Sequence, residues 1–198
     1  MKIADKKWAT MYWVGTMAQI LIVCFLKALL SIFHIQAPKI LSIVFLVIGG
    51  GSSAIWGMIV SLKSKRADSI RKIAADFIEV RQPVAMYGIA AAFLAMIFVL
   101  QLLFGFFADG VTWHTLIRLF LISVLFGGIE EIGWRYTFQP IAENKYSFFA
   151  ASIFTFISWG LWHYLYFYLT DSLYSVQHGS FLIGLLGGLL YFGSNIQG

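Results

Sequence analysis

Six apolar stretches constrain this chain more than any other feature of it. They run roughly from Trp8 to Phe33, Ile40 to Leu62, Val84 to Ala108, Leu116 to Pro140, Ser147 to Leu169 and Gly179 to Gly193, the last being short for a full crossing. A helix needs about 20 apolar residues to cross a ~30 Å hydrocarbon core. Lipid offers no partner to backbone N–H and C=O groups, so only helices and closed barrels can span it. The runs are continuous rather than alternating, which excludes a barrel and predicts an all-α, polytopic transmembrane bundle of about six helices. Composition agrees, with 12% charged residues and a mean hydropathy of +0.83. A soluble domain carries about a quarter charged residues.

The first run is too long for the apolar part of a signal peptide, and no small-residue cleavage site closes it, so it reads as a retained helix. Between the second and third runs, residues 63–82 read KSKRADSIRKIAADFIEVRQ. Ile70, Ile73, Ala74, Phe77 and Ile78 form a helical stripe there, which predicts an amphipathic helix on the membrane surface. The basic residues of 63–81 mark this loop as cytoplasmic and as a contact for anionic lipid. Lys2, Lys6 and Lys7 place the amino terminus on the same side. The net charge of +5 therefore reports topology and lipid, not nucleic acid. The single cysteine, Cys24, excludes an intrachain disulfide framework. One integral membrane domain over 1–198 is expected, with a motif-bearing core at 116–193, in a bacterial plasma membrane.

Charge inside the fourth run is what the fold alone does not explain. Glu130, Glu131 and Arg135 lie in an apolar helix, where each ionised group costs several kcal/mol unless paired or facing a wet cavity. Glu131 and Arg135 are four residues apart and share a face, so they can pair. Glu130 points about 100° away and keeps its carboxyl for another partner. A purely structural arrangement would instead pair one carboxylate with Arg135 and hold Glu130 protonated.

His163, within SWGLWHYLYF, lies on the fifth run, which a short turn makes the antiparallel neighbour of the fourth. Measured from a turn at 141–146, Glu130 is about 15 Å and His163 about 25 Å along its helix, so tilt or an irregular turn is needed to bring them level. A glutamate and a histidine in one dry cavity can activate water. The carboxylate takes its proton, while the imidazole holds the water, binds a divalent metal or stabilises an oxyanion. Such chemistry would be peptide hydrolysis within the membrane.

These residues resemble a known family. EEIGWR at 130–135 matches the EExxxR motif of the CPBP, or Abi, intramembrane metalloproteases, which include CAAX prenyl endopeptidases and bacteriocin self-immunity proteins. WGLWH at 159–163 resembles their FxxxH motif, with Trp159 in place of phenylalanine. The resemblance covers about Ile40 to Gly198 and implies a CAAX-protease-like bundle. It implies Glu130 as catalytic base, His163 as its partner at the water or metal, and Glu131, Arg135 and Trp159 as support. A divalent metal, zinc if any, would be held by His163 and Glu130, and the substrate would be a peptide or a membrane protein. The family's third motif, a histidine followed four residues later by asparagine, does not occur up to Gly198. His178 is followed at that spacing by Leu182. That departure implies either a truncated gene or a shortened member that has lost catalysis.

Two other classes of function fit the same residues. One is a noncatalytic membrane protein that confers immunity by binding a peptide toxin or its receptor. The other is a transporter using Glu130 and His163 as a proton relay. Elsewhere, Lys27 is expected to snorkel to an interface, His34 and His114 to sit at span ends, and GGGSS at 49–53 to serve helix packing or a kink. Trp134 and Trp159 stand close to the motif residues and are candidates for a cavity wall.

Overall fold

The computed structural model describes residues 3–79, 81–104, 112–123 and 127–173, and every regular element among them is helical. The sixth run, His178 and Leu182 lie outside the described residues. Helix α1 spans Ile3–Ile32. His34 takes a left-handed φ of 55° just after it, and Pro38 caps the next helix. Helix α2 covers Lys39–Phe45, continues through a π-helical turn at Leu46–Gly50, and gives way at Gly51 to α3, Ser52–Lys63. The two halves are bent by 45°, the geometry of a broken span or a re-entrant loop. GGGSS is the kink.

A short helix α4, Ile70–Phe77, begins where the Ser69 hydroxyl accepts the Lys72 backbone N–H. Helices α5, Val84–Leu103, and α6, Trp113–Ile122, follow. They present Val84, Leu94, Ile117 and Phe120 outward, as lipid-facing helices do. Then α7, Gly128–Glu131, runs into a π-helical segment at Ile132–Phe138 and on into α8, Gln139–Glu143. Helix α9, Phe148–Leu169, completes the described part. Two of these helices are long and apolar enough to cross a membrane, Asp5–Ile32 and Phe148–Leu169, or three if the bent pair is one span. The chain is an integral membrane protein with an all-α fold.

The wide turn at 132–138 has a local cause. Pro140 has no N–H to give the carbonyl one turn back, and its ring crowds that carbonyl, so a regular α-helix is disfavoured there. A π turn absorbs the misfit. Thr137 Oγ1 reaches the Ile132 carbonyl at 2.8 Å, five residues back, and lies 3.2 Å from the Gly57 carbonyl. Ser61 Oγ completes the cluster, 2.8 Å from Thr137 Oγ1. These bonds tie freed backbone groups to α3.

Helix α3 runs parallel to the 128–138 segment, with Ser53 against Glu130, Gly57 against Gly133 and Ser61 against Thr137. The backbones touch. A methyl group added at Gly57 would stand 2.6 Å from the Gly133 Cα and 2.8 Å from the Ile132 carbonyl oxygen. Helix α9 runs parallel to α1, through Trp13–Ser158, Cys24–Leu165 and Lys27–Tyr168 contacts. Between these helices lies one core of Tyr12, Ile20, Val60, Trp134, Phe138, Ile141 and Trp162, all but sealed from outside.

The Lys27 ammonium caps the C-terminus of α9, donating to the Tyr168 and Leu169 carbonyls at 2.9 Å each and to Asp171 at 2.7 Å. Unpaired carbonyls and the negative end of the helix dipole draw the cation inward.

Candidate functional site

Glu130 sits on the single α-helical turn before the π segment, and His163 on α9. Their functional atoms meet: His163 Nε2 lies 4.0 Å from Glu130 Oε2, with side chains only 13% and 15% exposed. The predicted mismatch in depth is resolved at the turn. Helix continues to Glu143 and resumes at Phe148, rather than breaking at 141. Counted from those ends, Glu130 is about 20 Å and His163 about 22 Å along, so the two stand nearly level.

His163 is oriented by its own helix. Its Nδ1 lies 3.0 Å from the Trp159 carbonyl. A carbonyl can only accept, so Nδ1 carries a proton, and in the neutral ring Nε2 presents a lone pair toward Glu130. The Trp159 ring lies against the imidazole with centroids 3.9 Å apart, and Trp162 meets it edge-on at 4.9 Å. Trp159 also hydrogen-bonds the Glu130 carboxylate through its indole N–H. The tryptophan that replaces the usual phenylalanine thus touches both principal groups of the site. Glu130 Oε2 is buried and has no hydrogen-bond partner among the described residues, which leaves an acceptor beside His163 Nε2.

Glu131 and Arg135 form the expected pair, Arg135 Nε standing 3.0 Å from Glu131 Oε2 on the half-buried side of the segment. All the residues singled out by sequence therefore cluster, but in two groups. Glu130, His163 and Trp159 share the buried side; Glu131 and Arg135 lie beside them. Trp134 belongs to the core, packed edge-on against Tyr12 and Trp162.

Sequence reading missed Tyr12, Ser52 and Ser53. Ser53 Oγ donates to the Glu130 backbone carbonyl at 2.8 Å. Its one hydrogen is thereby committed, so the Tyr12 hydroxyl, 2.9 Å away, donates to it. Ser52 Oγ accepts the Trp162 indole N–H at 2.8 Å. Both serines are completely buried. The two serines after the kink thus fix the backbone on one side of the site and the aromatic wall on the other. Hydroxyls inside an apolar run were the available signal.

A divalent metal finds an incomplete donor set here. Glu130 Oε2 and His163 Nε2 are two donors, and among the described residues no group of three or more His, Cys, Asp or Glu side chains gathers as a metal site. Catalytic zinc usually takes three protein ligands. The described residues do not fit a zinc ion.

Known proteins resemble the part of the chain that carries these residues. The family model for Rce1-like proteins, described as type II CAAX prenyl endopeptidase, matches residues 112–196. A curated relative, CAAX prenyl protease 2 of Methanococcus maripaludis, is 33% identical over 82 residues, covering 40% of this chain and 30% of that protein. The chain thus aligns with less than a third of its relative's length. No solved structure matches it. The matched stretch, residues 112–196, holds Glu130, Glu131, Arg135, Trp159 and His163, and is similar to the Rce1-like family of type II CAAX prenyl endopeptidases.

Proposed function

We propose that this protein is a membrane-embedded endopeptidase in which Glu130 and His163 activate a water molecule. The observation that carries the reading is the 4.0 Å approach of Glu130 Oε2 to His163 Nε2 in a buried position. At that spacing one water oxygen lies within hydrogen-bond reach of both atoms. Neutral His163 accepts one water proton as a hydrogen bond through Nε2, and Glu130 accepts the other. As the water oxygen bonds to the scissile carbonyl carbon, Glu130 takes its proton. When the C–N bond breaks, the same proton passes to the leaving amine. Glu131 with Arg135 positions the segment, and Trp159 holds both reacting groups in register. Exclusion of bulk water strengthens every charge interaction in such a site.

The similarity to a family described as type II CAAX prenyl endopeptidase supports CAAX-type peptides as the substrate class to try first. The test is incubation of the reconstituted protein with membrane-inserted peptides, CAAX-terminated prenyl peptides among them, in 18O-labelled water. Cleavage at an internal peptide bond with one 18O in the new carboxyl group is expected. Absence of cleavage across the set contradicts the reading. A metal would require a further donor beyond Glu130 and His163, so loss of cleavage on chelation, restored by zinc, would show that such a donor exists.

A second reading rests on the same two-donor site: a noncatalytic relative that binds a peptide toxin. It forecasts that protection of cells survives Glu130→Ala and His163→Ala together.

A further inference from the structure

Helix α4 is joined to the very segment that carries Glu130. Ile73 is fully buried against the bundle. Phe77 packs on Gly128, two residues before Glu130, with its ring 3.0 Å from where a Gly128 side chain would begin. Asp76 accepts the Tyr136 hydroxyl at 2.9 Å and pairs with Lys72. The helix thus clamps the 128–136 segment near both ends. What α4 and its flanks leave exposed among the described residues is both apolar and basic. Ile70 and Ile78 are 60% and 71% exposed, and Lys63, Lys65, Arg66, Arg71 and Arg81 are exposed around them. Asp68 and Glu79 are the acids on this stretch outside the clamp. An apolar pair rimmed by cations is complementary to an anionic bilayer surface, where apolar side chains enter the acyl boundary and cations meet phosphate.

We propose that residues 63–81 bind the anionic lipid surface, and that this binding presses α4 onto the 128–136 segment and so sets how firmly Glu130 is held. The coupling is mechanical. Headgroups hold α4 from outside, while Phe77 and Asp76 hold the site segment from inside. The idea rests on the membrane-embedded fold and is independent of whether the site cleaves peptides.

The test uses the full chain with Cys24→Ser, spin-labelled at Ile78→Cys, in vesicles of phosphatidylcholine alone or with about a third phosphatidylglycerol. Two quantities are read: the depth of the label from oxygen and nickel accessibility, and hydrogen exchange at residues 127–138. In anionic vesicles the label is expected to enter the acyl boundary, and exchange in the segment to slow by about fivefold or more, the lower end of ordinary coupling between sites. Lys65→Gln, Arg66→Gln and Arg71→Gln together should return both readings to their neutral-vesicle values. Phe77→Ala with Tyr136→Phe should leave the label deep but abolish the slowing. Equal label depth in both vesicles overturns the lipid surface. Deep labelling with unchanged exchange in the parent protein overturns the coupling.

Discussion

At the residue scale, the site is a set of buried polar atoms each given a task by a neighbour of fixed donor or acceptor character. Trp159 illustrates this, since its carbonyl sets the His163 tautomer and its indole meets Glu130. Ser53 does the same for the backbone, relaying a hydrogen bond from Tyr12 to the Glu130 carbonyl. Ser53→Ala leaves a buried carbonyl and a buried phenol without that partner, at a cost of about 1 to 3 kcal/mol. The expected outcome is a lower unfolding temperature in detergent, with reduced cleavage because Glu130 is less well placed. An unchanged unfolding temperature would show that the relay contributes nothing to the fold.

At the scale of elements, the close crossing of α3 with the π segment is the joint that holds the site. Gly57→Ala forces a methyl group against the Gly133 backbone, and overpacking of this kind costs about 1 to 3 kcal/mol. Gly88→Ala on α5 is the contrast, because nothing lies within 4 Å of the added group. Helix propensity then favours alanine by up to about 1 kcal/mol. Parallel thermal melts of the two variants should move in opposite directions. The α4 clamp has its own signature. The hydrogen bond and charge of Lys72, then the Tyr136 hydroxyl, hold the Asp76 carboxyl below its ordinary range. A lowered carboxylate pKa contributes stability that is complete above the ordinary range and is lost as pH falls through the lowered value. Lys72 is raised by its hydrogen bond to Asp76, so its share persists below its ordinary value and is lost only in strong alkali. Hydrogen exchange of α4 should therefore be insensitive to pH around neutrality, after correction for the intrinsic rate, and accelerate in acid. Asp76→Asn should abolish that acid step.

At the scale of the whole molecule, antiparallel packing of α1 on the bent pair brings the amino-terminal lysines and the 63–81 loop to one end. Tyr12 lies against Ser53, and Val23 against Gly49, so the chain direction reverses between them. Cysteines introduced at Lys6 and Lys65 should react with an impermeant thiol reagent from the same side of oriented vesicles, the cytoplasmic side by the positive-inside rule. Labelling from opposite sides would contradict the packing.

Much of this was legible in the chain because it is local. The i, i+4 spacing gave the Glu131–Arg135 pair, and long apolar runs gave membrane helices. Glu130 with His163 was legible as neighbours across one short turn. What spacing did not contain was register. The π turn ahead of Pro140 and the extension of helix to Glu143 decide whether those two side chains meet, and neither has a period to read. Tyr12 and Ser53 are 41 residues apart. Ser53 and Glu130 are 77 apart. Such contacts follow from helix packing, so the serines read only as part of a kink. The partners of Lys27, the last carbonyls of α9, were not legible because they exist only once that helix has an end beside it.

The claim at the centre is that Glu130 acts on water with His163, while Glu131 supports. The most direct measurement is the cleavage rate of one susceptible membrane peptide by wild type, Glu130→Gln, His163→Ala and Glu131→Gln, reconstituted at equal amounts with unfolding temperatures checked. Loss of a general base lowers the rate by about 10²- to 10⁴-fold. A loss of that size is expected for Glu130→Gln and His163→Ala, and a smaller loss for Glu131→Gln. Cleavage by a folded Glu130→Gln protein at the wild-type rate would contradict it.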